Sequence, residues 1–242
     1  MILAVDIGNT NVTCGVYDGE KWVHILRLPS TLNFWDQFST LKEFDITGCA
    51  ISSVVPNLMQ VYVESVRNLF QIDAHIITCQ NSEVELLVET PQDVGIDRIC
   101  NVAAAQLLVG APAIVGDIGS ATNYDVVDEK GAFIGGAIAP GIKVAAHNLI
   151  EKTALLKETA FIVPKSAVGK NTKTNLQSGI MLGAIDVVDG MFTRIMDEMN
   201  WKSCNIIVTG GFGGLIAPHL KTKHNYLPHL TLDGIRIIYG KK

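Results

Sequence analysis

The sequence predicts an α/β protein built from two copies of one supersecondary unit, two similar domains facing each other across a cleft. Two observations carry this. Hydrophobic periods of two and of 3.6 alternate along the chain, which is the mark of strands interleaved with helices. In addition, Asp6-Ile7-Gly8-Asn9-Thr10 recurs as Asp117-Ile118-Gly119-Ser120-Ala121, an offset of 111 residues (6 to 117), and each copy has an apolar strand on either side. In both copies a turn, Asp18-Gly19 or Glu129-Lys130-Gly131, leads into a third strand. Repetition of such a unit within one chain implies a duplicated domain.

The elements follow in order. Residues 2–6, 11–17 and 22–28 read as antiparallel strands, with turns at Gly8-Asn9 and Asp18-Gly19. "FWDQFSTLKEF" is helical in composition, and "CAISSVV" is a buried strand. Pro56 suits a first helical turn and opens "PNLMQVYVESVRNLF"; "AHIITC" is the next strand, and "DRICNVAAAQLL" is a helix rich in alanine and leucine. Gly110-Ala111-Pro112 punctuates the chain and sets the expected boundary, with domains at 1–111 and 112–242. In the second domain, residues 175–199 carry an apolar helical face in which the methionines pack, and the strand 204–209 runs into Gly210-Gly211 and Gly213-Gly214.

Composition narrows the function classes. A chain of 242 residues, 48% hydrophobic with 19 Lys and Arg against 24 Asp and Glu, buries a full core and presents no basic face to nucleic acid or to an anionic membrane. No basic leader region precedes Asp6 and no 18-residue apolar run occurs, so a cytoplasmic location is expected. The five cysteines lack a C-x-x-C pair and read as reduced, mostly buried thiols, and the six histidines lack metal-ligand spacing.

The repeated Asp-x-Gly unit has a physical logic. A carboxylate at the end of a buried strand is costly unless amides or a cation meet it, so Asp6 and Asp117 are either tied to backbone amides or aimed at a metal ion. The glycine after each lets backbone N–H groups approach an anion, while Asn9, Thr10, Ser120 and Thr122 add neutral donors. Two tight hairpins with Asx-type turn bonds are the bland alternative, and the duplication weighs against it. The double glycine pair after residue 209 suits a flat or charged ligand at a helix N-terminus, although it is neither a Walker loop nor a dinucleotide fingerprint.

In their order along almost the whole chain, "DIGNT" (6–10), "PQDVGIDR" (91–98), "DIGSAT" (117–122), "GGAIAPG" (135–141), "NTKTNLQSG" (171–179) and "TGG" (209–211) resemble the type III pantothenate kinases. This family includes the Bvg accessory factor proteins and belongs to the acetate and sugar kinase, Hsp70 and actin superfamily. The resemblance implies two duplicated actin/ribonuclease H-like domains around a nucleotide cleft. The implied activity is ATP-dependent phosphorylation of pantothenate to 4'-phosphopantothenate, the first step of coenzyme A biosynthesis. By the same resemblance, Asp6, Ile7, Gly8, Asn9, Thr10, Asn11, Val12 and Thr13 hold ATP, with Ser120 in the second phosphate loop. Gly95, Ile96, Asp97, Arg98 and Thr172 contact pantothenate, and Asp97 is the general base. Asp117 would bind a monovalent cation, K⁺ or NH₄⁺. Mg²⁺ accompanies ATP, because neutral donors cannot offset the phosphate charge. Family members are homodimers.

Several residues depart from the family pattern. Ile96 replaces a usual alanine, Val88 a tyrosine of the pocket, and Ser120 and Asn123 two threonines. These changes bear on substrate affinity or identity more than on phosphoryl transfer. A nucleotide-binding accessory or regulatory protein of the same fold, with weak or no kinase activity, stands as the alternative.

Overall fold

The structure is a computed structural model that describes residues 1–241. The chain divides into two compact units: Met1–Leu108 with the C-terminal segment from His229, and Val109–Pro228. Among the described residues no helix is long and apolar enough to cross a membrane.

In the first unit, β1 (Ile2–Ile7), β2 (Asn11–Tyr17) and β3 (Trp22–Pro29) form an antiparallel meander. β4 (Gly48–Ser53) and β5 (Ala74–Ile76) add in parallel on the other side of β1, giving the order β3-β2-β1-β4-β5. α1 (Trp35–Phe38) is short and passes into a 3₁₀ turn over Ser39–Glu43. α2 (Pro56–Phe70) begins at proline as expected and ends on Gln71 in the left-handed region, φ 56°, whose N–H bonds to the Arg67 carbonyl. Leu3, Val5, Ile7, Cys14 and Ile51 alternate onto one sheet face and pack with Phe34, Phe38 and Tyr62.

α3 (Ile96–Leu108) and the C-terminal helix (Leu230–Gly240) pack against each other, and β4 packs against both. The two helices cross closely because Gly234 lacks a side chain: a Cβ there would stand 1.9 Å from the Cys100 carbonyl oxygen. Buried Asn101 accepts a hydrogen bond from Thr231 Oγ1 at 2.8 Å across the same crossing. Since the contact is backbone rather than the tip of a flexible side chain, Gly234→Ala must push the helices apart. It is expected to cost about 2–4 kcal/mol, read as a fall in the denaturation midpoint at unchanged m-value.

The second unit repeats the topology. β6 (Ala113–Ile118), β7 (Ala121–Val127) and β8 (Phe133–Pro140) form the meander, and β9 (Asn205–Thr209) and β10 (Asn225–Tyr226) add in parallel, in the order β10-β9-β6-β7-β8. Position for position this matches the first sheet. α4 (Ile142–Glu151), α5 (Thr172–Gln177), α6 (Gly183–Glu198) and the short α7 (Gly213–Ile216) complete the unit. Its core joins Ile114, Ile118 and Tyr124 of the sheet to Met181, Val188 and Phe192 of the helices.

Four expectations are corrected. The second domain does not extend to the chain end, because the C-terminal helix belongs with the first unit. The strand expected over 74–79 is confined to Ala74–Ile76. The helix expected over 175–199 begins at Thr172 and is interrupted by a π turn over Ser178–Leu182. The two hairpins also differ in length. Asp6 pairs with Thr13 but Asp117 pairs with Asn123, so the second loop is one residue shorter and the alignment shifts after the glycine.

Candidate functional site

In the first unit the β1–β2 turn places Asp6 at the strand end and Asn9 and Thr10 exposed at the tip. Ile7 and Val12 turn into the α2 side of the core, so only their backbone can serve a ligand. Asn11 and Thr13 are partly buried, Thr13 opposite Asp6 on the other face. Gly8 N–H bonds to the Asn11 carbonyl at 3.0 Å, and a Cβ on Gly8 would lie 3.1 Å from that oxygen.

Ser30, just beyond β3, braces this turn from outside. Its Oγ donates to the Gly8 carbonyl at 2.5 Å and its N–H to the Thr10 carbonyl at 3.1 Å. The only mark of Ser30 in the sequence is its place directly after a strand that pairs with the turn-bearing strand. Ser30→Ala removes one of these bonds and is expected to raise the KM for ATP about three- to tenfold with little change in melting temperature, measured by initial rates.

Asp97 is the second residue of α3. Its Oδ1 accepts the Arg98 N–H at 2.9 Å and sits where a side chain on Gly95 would go, 2.5 Å from the ideal Cβ position. Gly95 is therefore demanded by the Asp97 carboxylate, and Val54 at the end of β4 lies 3.7 Å from the same point. The start of α3 thus abuts the sheet end that carries Asp6, since Val54 N–H bonds to the Ile7 carbonyl at 3.0 Å.

Burial holds the Asp97 carboxyl above its usual range, partly offset by the Arg98 amide and guanidinium. Burial also pushes the Cys100 thiol well up, and the charges of Asp6 and, more weakly, Asp97 add to this, so both carboxylates lie close to one neutral thiol. Ile96 and Arg98 are half-buried at the helix start, and Val88 lies half-buried in the segment leading to it.

In the second unit, Asp117 ends β6 and Ser120 is exposed in the following turn. Three glycines let backbone close around them. Gly210, at φ 89°, would place a Cβ 2.4 Å from Asp117 Oδ1 and 2.6 Å from the Ile118 backbone. Phe212 N–H then bonds to the Ile118 carbonyl at 2.9 Å. Gly141, which caps α4, donates its N–H to the Ser120 carbonyl at 3.2 Å, and a Cβ there would clash with that oxygen and with the Gly119 carbonyl. Gly119 N–H bonds to the Ala121 carbonyl at 2.9 Å. The motifs "DIGSAT", "GGAIAPG" and "TGG" therefore meet around one carboxylate.

Thr172 lies elsewhere in this unit. It is the first residue of α5, whose cap is Asn171, in a capping box with Thr174. Thr172 is thus released from capping. With Asn175, Thr122 and Tyr124 it gives polar edges to a cavity of about 740 Å³ that is otherwise apolar, lined by α4, α5, the π turn and α6. Burial pushes the Tyr124 phenol up to about 12, so it is neutral there.

Among the described residues no group of three or more His, Cys, Asp or Glu could hold a metal ion. All five cysteines are free thiols.

The chain matches the type III pantothenate kinase family over residues 2–194. It is 38% identical to the type III pantothenate kinase of Thermomicrobium roseum, covering 100% of this chain and 97% of the relative. It is 37% identical to that of Agathobacter rectalis, covering 100% and 98%. Among solved structures it resembles a Baf family protein from Campylobacter jejuni described as a transcriptional activator, with TM-score 0.65, 22% identity and coverage of 99% and 98%. It also resembles the activator of 2-hydroxyisocaproyl-CoA dehydratase from Clostridium difficile, with TM-score 0.53, 13% identity and coverage of 98% and 93%. The last two likenesses speak to fold alone: a duplicated α/β unit of the actin type. Matched over its full length by relatives above 35% identity and by the family pattern over most of it, the chain belongs to the type III pantothenate kinase family.

Proposed function

We propose that this protein transfers the γ-phosphoryl group of ATP to the primary hydroxyl of pantothenate, giving 4'-phosphopantothenate and ADP, the first step of coenzyme A biosynthesis in the cytoplasm. The observation that carries the reading is Asp97: a carboxylate fixed by its own helix start above Gly95, desolvated, and beside Arg98.

In this reading Asp97 accepts the proton of the attacking hydroxyl as the oxygen bonds to phosphorus and the bond to the ADP oxygen breaks. Arg98 meets the substrate carboxylate, with Gly95, Ile96 and Thr172 as further contacts. The backbone N–H groups of residues 6–13 and Ser120 receive ATP phosphates. Mg²⁺ carried with ATP supplies charge neutralisation. Mg²⁺ is commonly held by one or two carboxylates and substrate phosphates, and Asp6 is the carboxylate beside the proposed phosphate turn. Asp117, whose Oδ1 faces the Gly210 backbone beside the β6–β7 turn, is the oxygen ligand this reading offers to a monovalent cation, K⁺ or NH₄⁺.

A second copy of the chain completes the reading as a homodimer. Ile138, Val144 and Val187 of the second unit are 66%, 52% and 56% exposed, apolar side chains available to such a contact.

Two tests apply. Expression should restore growth to a cell lacking its own pantothenate kinase. Replacing K⁺ by tetramethylammonium in the purified reaction should lower turnover roughly tenfold, and Asp117→Ala should abolish the K⁺ stimulation. Turnover indifferent to K⁺ contradicts the role of Asp117.

A further inference from the structure

β4 is a buried, nearly all-apolar strand that carries one serine in full burial. Ser52 is 0% exposed and lies directly opposite Asp6 in the parallel register with β1. Residues so paired point to the same sheet face, on strands about 4.8 Å apart, within reach of a short side-chain hydrogen bond.

The neighbouring serine gives the contrast. Ser53 Oγ is committed locally, donating to the Val55 carbonyl at 3.2 Å. Ser52 Oγ has no oxygen or nitrogen partner among the described residues, and the one hydrogen-bonding group beside it is the Cys100 thiol. A thiol is only a weak partner, so the buried hydroxyl stays available to a stronger acceptor. The environment is polar on the same side. Cys100 comes three residues after Asp97 on α3, which packs on β4; its thiol is raised by burial and next by the charge of Asp6, and a hydrogen bond from Ser52 opposes this.

We propose that Ser52 is a positioning residue for phosphoryl transfer, its hydroxyl turning onto the Asp6 carboxylate and holding it in the orientation the Gly8 turn needs when ATP is bound. This rests on the assignment of that turn to ATP phosphates. A hydroxyl-to-carboxylate bond is charge-assisted and short, so it fixes direction as well as distance. Ser52 itself touches neither substrate.

The test is steady-state kinetics in ATP and in pantothenate on the full chain, with wild type beside Ser52→Ala, Ser52→Cys and Ser52→Thr. Ser52→Ala is expected to lower kcat about tenfold and raise the KM for ATP while leaving the KM for pantothenate unchanged. Ser52→Cys, which keeps the volume but not the strong donor, should follow alanine. Ser52→Thr, which restores a hydroxyl, should recover most of the rate. Wild-type kinetics in Ser52→Ala, or a threonine variant as impaired as the alanine one, would overturn the proposal. Wild type without pantothenate-dependent turnover would instead remove the kinase reading, and the proposal with it.

Discussion

Asp97→Asn should lower kcat by about a thousandfold while the protein stays folded, and at pH 7 to 8 it should melt no lower than wild type. The two halves come from one cause. Burial raises the Asp97 carboxyl above its usual range, so the folded state prefers the protonated form more than the unfolded chain does. Between the unfolded and the folded value the native state therefore binds more protons, and the contribution of Asp97 to stability falls as pH rises through that window. At neutral pH the carboxylate is held ionised at a cost that the amide avoids. The melting difference between mutant and wild type should accordingly shrink as pH is lowered towards 4. The rate carries the opposite requirement, because only the ionised form takes a proton. The acid limb of kcat/KM should thus lie above the ordinary carboxylate range near 4 and should vanish with the residual activity of the variant.

Gly210→Ala is expected to be the most damaging single methyl in the second unit. The glycine sits at φ 89°, and the added carbon would meet the Asp117 carboxylate oxygen at 2.4 Å and the Ile118 backbone at 2.6 Å. Neither the backbone torsion nor the neighbours can give way without moving the β6–β7 turn. The expected cost is about 2–4 kcal/mol of stability, with the KM for ATP raised at least about tenfold, measured by thermal denaturation and initial rates. Gly213→Ala, at negative φ and meeting first the edge of the Tyr226 ring at 3.2 Å, should be much milder and serves as the control.

The duplication was legible because its signal is chemical. An Asp and a Gly at the end of an apolar strand have few structural uses, and twice in one chain they define a unit. Both sheets then have the same strand order. What stayed hidden was set by tertiary contact. The C-terminal helix contains Gly234, Ile235, Ile237 and Ile238, weak helix formers that gain their conformation by packing on α3, and nothing local marks them as returning to the first unit.

The π turn at Ser178–Leu182 likewise leaves the apolar period nearly intact, so residues 175–199 read as one helix. The loss of one residue in the second hairpin leaves the motif's first three positions unchanged, since the register differs only after Gly119. Asp6, Asp97 and Asp117 are legible in the sequence as carboxylates at element ends. The contacts of Ser30 and the register of Ser52 are not, since a serine beside or within a strand becomes informative only when its partner on the next strand is known.

Ile96 directly precedes Asp97, whose carboxylate sits where a side chain on Gly95 would go. Product analysis decides whether this chain phosphorylates pantothenate. Purified protein is incubated with ATP, Mg²⁺, K⁺ and pantothenate, and the products are read by mass spectrometry beside ADP release. One 4'-phosphopantothenate is expected for each ADP, with both lost in Asp97→Asn. ADP release that ignores pantothenate, or unphosphorylated pantothenate after prolonged incubation with folded protein, would contradict it.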